Sequence, residues 1–519
     1  MLKNIYTNCI PNKIKKNISA DSFSIIIMSF LFWCFFAHGM TLTNKYSFQD
    51  DIYLFSSGTS YTSGRWFLGF LSALRKHFML GDISLPLFNG VTGLFYLLCT
   101  VLIVITLFDL KLTLSLIMLP GIMVVFPVIT GMLGYNFTFP YYMLALLLSS
   151  ASVLLMCNNN VLLYALAVIL AACSVGTYQA FIPFTLSILT IQFIVYLLHS
   201  ETFSAKEIIF QIGKRITFCV GFILLYALIN RIVLSVLDTT LSDYQSISSM
   251  QTTNPFAYMG RIKTAYREYI YPIGLRSGKL NSMFYGSIRR AYYASVALIL
   301  IATIICIYKH RKKGLLYLFT LSFSFFLLPL AINFITVMCD LSTIHSLMVY
   351  SQCLVFILLL VMYEHFGFEK RRVYSVPLAL LLLLVNVAYC KYDNTCYLKA
   401  ELAQQRTIEY FSTLVSRIKS TPGYDDEYPV LWINPEKIED KSLTDIYPLV
   451  EIRTIPYSDA SELVNTYSWN RFLSTWCAYN PSVLDTSPTI ENSAQVAQMP
   501  HYPDDGSIAI INNTLVVKF

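Results

Sequence analysis

Eleven long apolar runs constrain this chain more than any other feature. The first, Ser22–Met40, reads SFSIIIMSFLFWCFFAHGM and carries no formal charge. About 20 such residues are enough to cross a bilayer as a helix. Ten more runs follow near residues 86–108, 112–131, 137–157, 161–176, 179–198, 216–236, 291–308, 315–337, 346–363 and 373–390. Lipid offers the backbone no hydrogen-bond partners, so runs of this kind must be helical to span it. Only 13% of the residues are charged, against about 25% in soluble proteins. The expected fold is therefore a polytopic α-helical membrane protein with about eleven transmembrane helices. The first run is long for a signal-peptide core, and no small-x-small cleavage site follows it, so it is read as a retained span.

Charge sets the expected orientation. Lys3, Lys13, Lys15 and Lys16 hold the N-terminus in the cytoplasm. Eleven spans then place the loops Lys206–Arg215, Lys309–Lys313 and Lys370–Arg372 inside, and these are the densest basic clusters of the chain. The net charge of +7 divides unevenly. Residues 391–519 hold 10 Lys and Arg against 17 Asp and Glu, a net −7, which leaves +14 for residues 1–390. A basic excess confined to short loops is a positive-inside pattern and not a nucleic-acid footprint. The twelve Cys show no CxxC or Cys/His ligand spacing, so no metal site and no disulfide framework is read from them. Neither a Walker A loop, a Rossmann glycine fingerprint nor a DxD-like nucleotide-sugar site is present.

Three segments are expected outside. The first, near 42–85, contains Trp66–His77, apolar with a basic end, which fits a helix lying on the membrane surface. The second, near 237–290, carries seven Lys and Arg among many Tyr, Arg261 and Arg267 included. Such cations suit a lipid phosphate, and equally suit general contact with anionic lipid. The third is the tail, 391–519, with nine of the 19 Pro. Its amphipathic stretch Cys396–Ile418, strands Tyr428–Ile433 and Ile508–Ile511, and a hairpin at Asn512-Asn513 before Thr514–Phe519 are expected to form a small soluble α/β domain.

Candidate chemistry gathers in the expected outer loops. Asp50 and Asp51 sit just past the first span and offer a general base, with a paired carboxylate able to raise one pKa. The same residues also suit a helix cap and a solvated acid. Ser63-Gly64-Arg65-Trp66 follows, where Arg65 can contact a phosphate and Trp66 can face a sugar or the interface. Gly176-Thr177-Tyr178-Gln179 falls at the outer end of a span, where Tyr178 and Gln179 can bond sugar hydroxyls or simply join helices. His38, Asp340 and His345 are weaker candidates.

An acid pair in the first outer loop, then Gly-Arg-Trp, then a small-x-Tyr-Gln motif resembles the serotype-converting O-antigen glucosyltransferases of bacteria and their phages. These are GT-C-type membrane enzymes, and the likeness covers most of the chain. It implies a bacterial inner-membrane glycosyltransferase that moves glucose from undecaprenyl-phosphate glucose to the O-antigen of lipopolysaccharide on the periplasmic side. It implies a functional link to a donor flippase and a polyprenyl-phosphate glucose synthase, with the lipid-linked sugar as substrate and no cofactor; no metal is assigned, because only one close acid pair is visible and no second ligand cluster accompanies it. By the resemblance Asp50 or Asp51 matches the catalytic acid, Arg65 the basic position, and Tyr178 and Gln179 the substrate-side motif. A flippase for lipid-linked sugars and an O-antigen polymerase are the alternatives. Spans nearly free of charge favour an enzyme over the flippase, whereas the 237–290 segment keeps the polymerase open.

Overall fold

The computed structural model describes residues 18–45, 61–78, 83–199, 204–242, 255–272, 283, 286–366, 372–435 and 468–519. In chain order the first helices are α1 (Ala20–Thr43), α2 (Trp66–Phe78), α3 (Pro86–Leu107), α4 (Thr113–Val125), α5 (Val128–Leu133), α6 (Phe139–Met156), α7 (Val161–Thr177), α8 (Ile182–His199) and α9 (Ala205–Val236). Then come α10 (Pro255–Ile270), α11 (Gly286–Lys309), α12 (Leu315–Ile332), α13 (Ile335–Met338), α14 (Leu354–His365) and α15 (Arg372–Lys419). Contacts divide the chain into two compact units: Met1–Asn44 with Phe55–Asn394, and Lys45–Leu54 with Thr395–Phe519.

In the first unit, α1, α3, α6, α8, α9, α11 and α12 are long and apolar enough to cross a membrane, as is α15, which begins in that unit. The predicted runs 112–131, 161–176 and 346–363 also form apolar helices, each shorter. Two of those three have a physical reason to be short. Pro127 ends α4 and caps α5, because proline supplies no N–H to the preceding turn. Ahead of α14 the chain runs through 3₁₀ turns at Leu341–Thr343, Ser346–Met348 and Tyr350–Cys353. Ser346, Tyr350 and Gln352 there are buried, and irregular backbone is tolerated at membrane depth where protein covers it.

Local chemistry starts the helices where the loops end. Ser19 Oγ accepts from Ser22 N at α1, Asn160 Oδ1 from Leu162 N at α7, and Ser204 Oγ from Glu207 N at α9. Helix α6 packs on α3 and α7, α1 on α4, α8 on α12, and α9 on α7. Along α9 the residues Val220, Leu224, Leu228 and Ile232 stay exposed, as apolar side chains do against lipid.

The second unit holds a three-stranded sheet, β1 (Val430–Ile433), β2 (Ile508–Ile511) and β3 (Thr514–Lys518), in the order β1-β3-β2. The β2–β3 hairpin turns at Asn512 and Asn513 with φ of 50° and 55°, the two left-handed residues that a type I′ turn needs. Strand β1 joins β3 in parallel. Alternation on β3 builds two cores. Leu515 and Val517 meet Phe411, Leu414 and Ile418 of α15 and Trp469 and Phe472 of α16 (Trp469–Trp476). Val516 meets Leu431, Ile490 and Val496 on the other face. The amphipathic stretch at Cys396–Ile418 is not a separate helix, because α15 runs from Arg372 to Lys419 without a break. No Gly or Pro lies between Pro377 and Pro422 to stop it.

Candidate functional site

Two motifs 110 residues apart in sequence meet in space, and glycine allows it. Gly64 closes the 3₁₀ turn Tyr61–Ser63 with φ +73°. A Cβ there would lie 2.8 Å from Tyr226 Oη and 2.9 Å from Gln179 Nε2, so the loop fits against these side chains only as glycine. Gln179 Nε2 donates to Ser63 O at 2.9 Å and to Tyr226 Oη at 3.2 Å, and Tyr226 Oη donates to Gly64 O at 3.1 Å. The last turns of α9, the end of α7 and the loop before α2 are thereby tied together.

The next two residues of the loop use that anchorage. Arg65 places its guanidinium over the ring of Tyr178, 5.0 Å from the centroid, a cation–π contact worth about 0.5–2 kcal/mol. Trp66 packs its indole on the backbone of Gly176, where a Cβ would fall 2.5 Å from Cε2. Tyr178 is itself buried against Tyr142 and Phe181, with ring centroids at 4.9 and 5.3 Å. Among the described residues Arg65 makes no ion pair. Its Nε, the Nε1 of Trp66 and the Oδ1 of Asn230 are buried without a hydrogen-bond partner among the described residues. Two such donors, one of them on a cation, and an acceptor suit an anionic, hydroxyl-bearing ligand.

Arg65, Trp66, Tyr178 and Gln179 are thus one neighbourhood, though Gln179 spends its amide N–H on the loop. Arg261 and Arg267 sit elsewhere, on α10, which packs on α12 and α13. Arg261 Nη2 bonds Asp340 Oδ1 at 2.7 Å, and Arg267 Nη2 bonds Glu268 Oε1 at 2.9 Å. Asp50 and Asp51 lie outside the described residues. His38 is fully buried with Nε2 3.0 Å from Val124 O. No group of three His, Cys, Asp or Glu among the described residues is placed to hold a metal ion.

Sequence reasoning missed Tyr226 and Asn230. Both are polar residues near the end of an otherwise apolar run, which was the signal available. It also missed Asp393, a fully buried acid whose Oδ1 accepts from Thr130 Oγ1 at 2.7 Å.

Residues 39–357, more than half of the chain, match the family model of the glucosyl transferase GtrII. The matched segment contains the acid pair, Arg65, Trp66, Tyr178, Gln179, Arg261 and Arg267, and stops short of α15 and the tail. No curated protein and no solved structure matches the chain.

Proposed function

Since the chain belongs to the GtrII glucosyl transferase family, whose activity serves O-antigen modification, we propose the following reaction for it. It takes the glucosyl group from undecaprenyl-phosphate glucose and passes it to the O-antigen of lipopolysaccharide at the periplasmic face of the inner membrane. The acceptor hydroxyl attacks C1 of the donor sugar in a single displacement. One carboxylate of the pair Asp50 and Asp51 takes the hydroxyl proton as the new glycosidic bond forms. The C1–O bond to the phosphate breaks, and undecaprenyl phosphate leaves with the bonding pair. Arg65 neutralises the charge that builds on this leaving group.

The observation that carries this reading is the meeting of Arg65 and Trp66 with Gly176 and Tyr178. It gathers a cation with no ion pair among the described residues, an indole and a phenol ring at the ends of apolar helices. A sugar phosphate needs those three groups: charge for the phosphate, and flat rings for the apolar face of the pyranose. The positive-inside pattern with eleven spans supports placing that end at the periplasmic side, with the N-terminus in the cytoplasm. The tail lies beyond the family match and changes sharply in charge, which supports a role in choosing the acceptor.

The test compares O-antigen from cells with and without this gene by sugar composition and linkage. An added glucose branch that appears only with the gene is expected. Unaltered glucose content with altered chain length would instead favour the polymerase.

A further inference from the structure

Beside the Arg65 cluster lies an apolar cavity of about 470 Å³. Tyr61, Trp66, Phe67 and Phe70 line one side, and Ile232, Val233, Val236 and Leu237 line the other. Trp66 belongs to both places. Its ring forms part of the cavity wall, while its Nε1 is one of the buried donors without a partner among the described residues. Asn230 stands less than one turn before Ile232 on α9. Its Oδ1, 3.8 Å from where a Gly64 Cβ would be, is buried without a partner among the described residues. Polar cradle and apolar groove therefore share Trp66, and the groove runs between α2 and the last turns of α9.

We propose that this site seats the lipid-linked donor, with the first isoprene units of the polyprenyl chain in the groove and Asn230 reading the sugar. The assignment rests on the donor named above and adds where it binds and which residue discriminates. The phosphate oxygens only accept, so they go to the donors, Arg65 Nε and Trp66 Nε1. A sugar hydroxyl can donate, so it goes to Asn230 Oδ1. The occupant is a polyprenyl chain because Trp66, which lines the groove, directly follows the cation Arg65 in the chain. An apolar wall alone would serve any acyl tail. Moving a chain from bilayer to groove gains little, since lipid is as apolar as the wall. The groove therefore sets direction and depth, and the head group sets selectivity. Phe70, Ile232 and Val236 are exposed at its edge, which opens a sideways path from the membrane.

The full chain in lipid nanodiscs is photolabelled with a diazirine-bearing undecaprenyl phosphate, and adducts are mapped by mass spectrometry. Expected are adducts within residues 61–78 and 226–237. Unlabelled undecaprenyl phosphate should displace them, and excess phosphatidylglycerol should not. Val233→Trp, which fills the groove, should reduce labelling at least tenfold. Asn230→Leu should weaken competition by undecaprenyl-phosphate glucose about tenfold and leave competition by bare undecaprenyl phosphate within twofold, as loss of one buried hydrogen bond to the sugar requires. Equal displacement by phosphatidylglycerol, adducts elsewhere or no specific adducts would overturn the groove. An equal loss for both competitors in Asn230→Leu would remove its sugar-reading role. Glucose transfer is measured on the same samples. Selective labelling without transfer would retain the groove and refute the donor reading, while transfer with adducts elsewhere would do the reverse.

Discussion

Arg65 and the pair Arg261 and Arg267 look alike in the sequence, as cations in expected outer loops, yet the fold treats them differently. Arg65 has no carboxylate beside it among the described residues and lies over the ring of Tyr178. Arg261 is held by Asp340, and Arg267 by the buried Glu268. A cation already neutralised must give up its partner before it can serve a phosphate, whereas Arg65 gives up only a ring contact. The difference teaches that surplus charge in a loop does not by itself mark a site. What matters is whether the fold has already spent that charge.

The strongest way to break this contrast lies in the first loop. Asp50→Asn and Asp51→Asn keep size and polarity and remove the base. At least one of them should lower transfer by about 10²–10⁴-fold with normal membrane levels. Near-normal rates for both, with purified protein and a polyprenyl-phosphate glucose donor, would move the base elsewhere. Next in size, Gly176→Val should push the indole of Trp66 off its seat and reduce transfer about tenfold or more, since the new side chain meets the ring inside van der Waals contact. A melting curve separates that displacement from loss of fold.

The smallest catalytic effect belongs to α10. Arg267→Ala should leave transfer within about twofold, yet cost about 1–3 kcal/mol of stability because Glu268, only 1% exposed, loses one charge-assisted hydrogen bond. A thermal shift assay in detergent reads this directly. Unchanged stability with a collapse in transfer would restore the phosphate role that the sequence gives to Arg267. Exchange of residues 395–519 with those of a relative of different serotype sharpens the second comparison, between family-matched unit and tail. The chimera is expected to modify a different O-antigen. An active chimera with unchanged preference would place acceptor choice in the loops.

Much of this was legible in the residues themselves. The apolar runs marked the helices because all-round hydrophobicity leaves a segment little else to become. The Asn512-Asn513 hairpin was legible because two left-handed residues favour few sequences. The motif pairs around Arg65 and Tyr178 were legible as types and spacing. Their junction was not, since it depends on Gly64 and Gly176 admitting Tyr226, Gln179 and Trp66 at backbone distance. Nor were the partners of Arg261 and Arg267: Asp340 lies 79 residues from Arg261, and Glu268 adjoins Arg267 without any pattern to mark the pair. The continuity of α15 was hidden for a different reason. Polarity changes near Lys391, and a change in solvent reads like a boundary even where the backbone has no cause to break.

The central claim is that the cation over Tyr178 is the one that meets the donor phosphate. Purified Arg65→Ala and Arg261→Ala, assayed side by side with undecaprenyl-phosphate glucose, test it most directly. A charge-assisted hydrogen bond contributes about 1.5–3 kcal/mol, so Arg65→Ala should lose about 10–100-fold in kcat/KM for the donor, and Arg261→Ala no more than about threefold. The opposite order, with Arg261→Ala the more damaged at equal folded protein, would contradict the account.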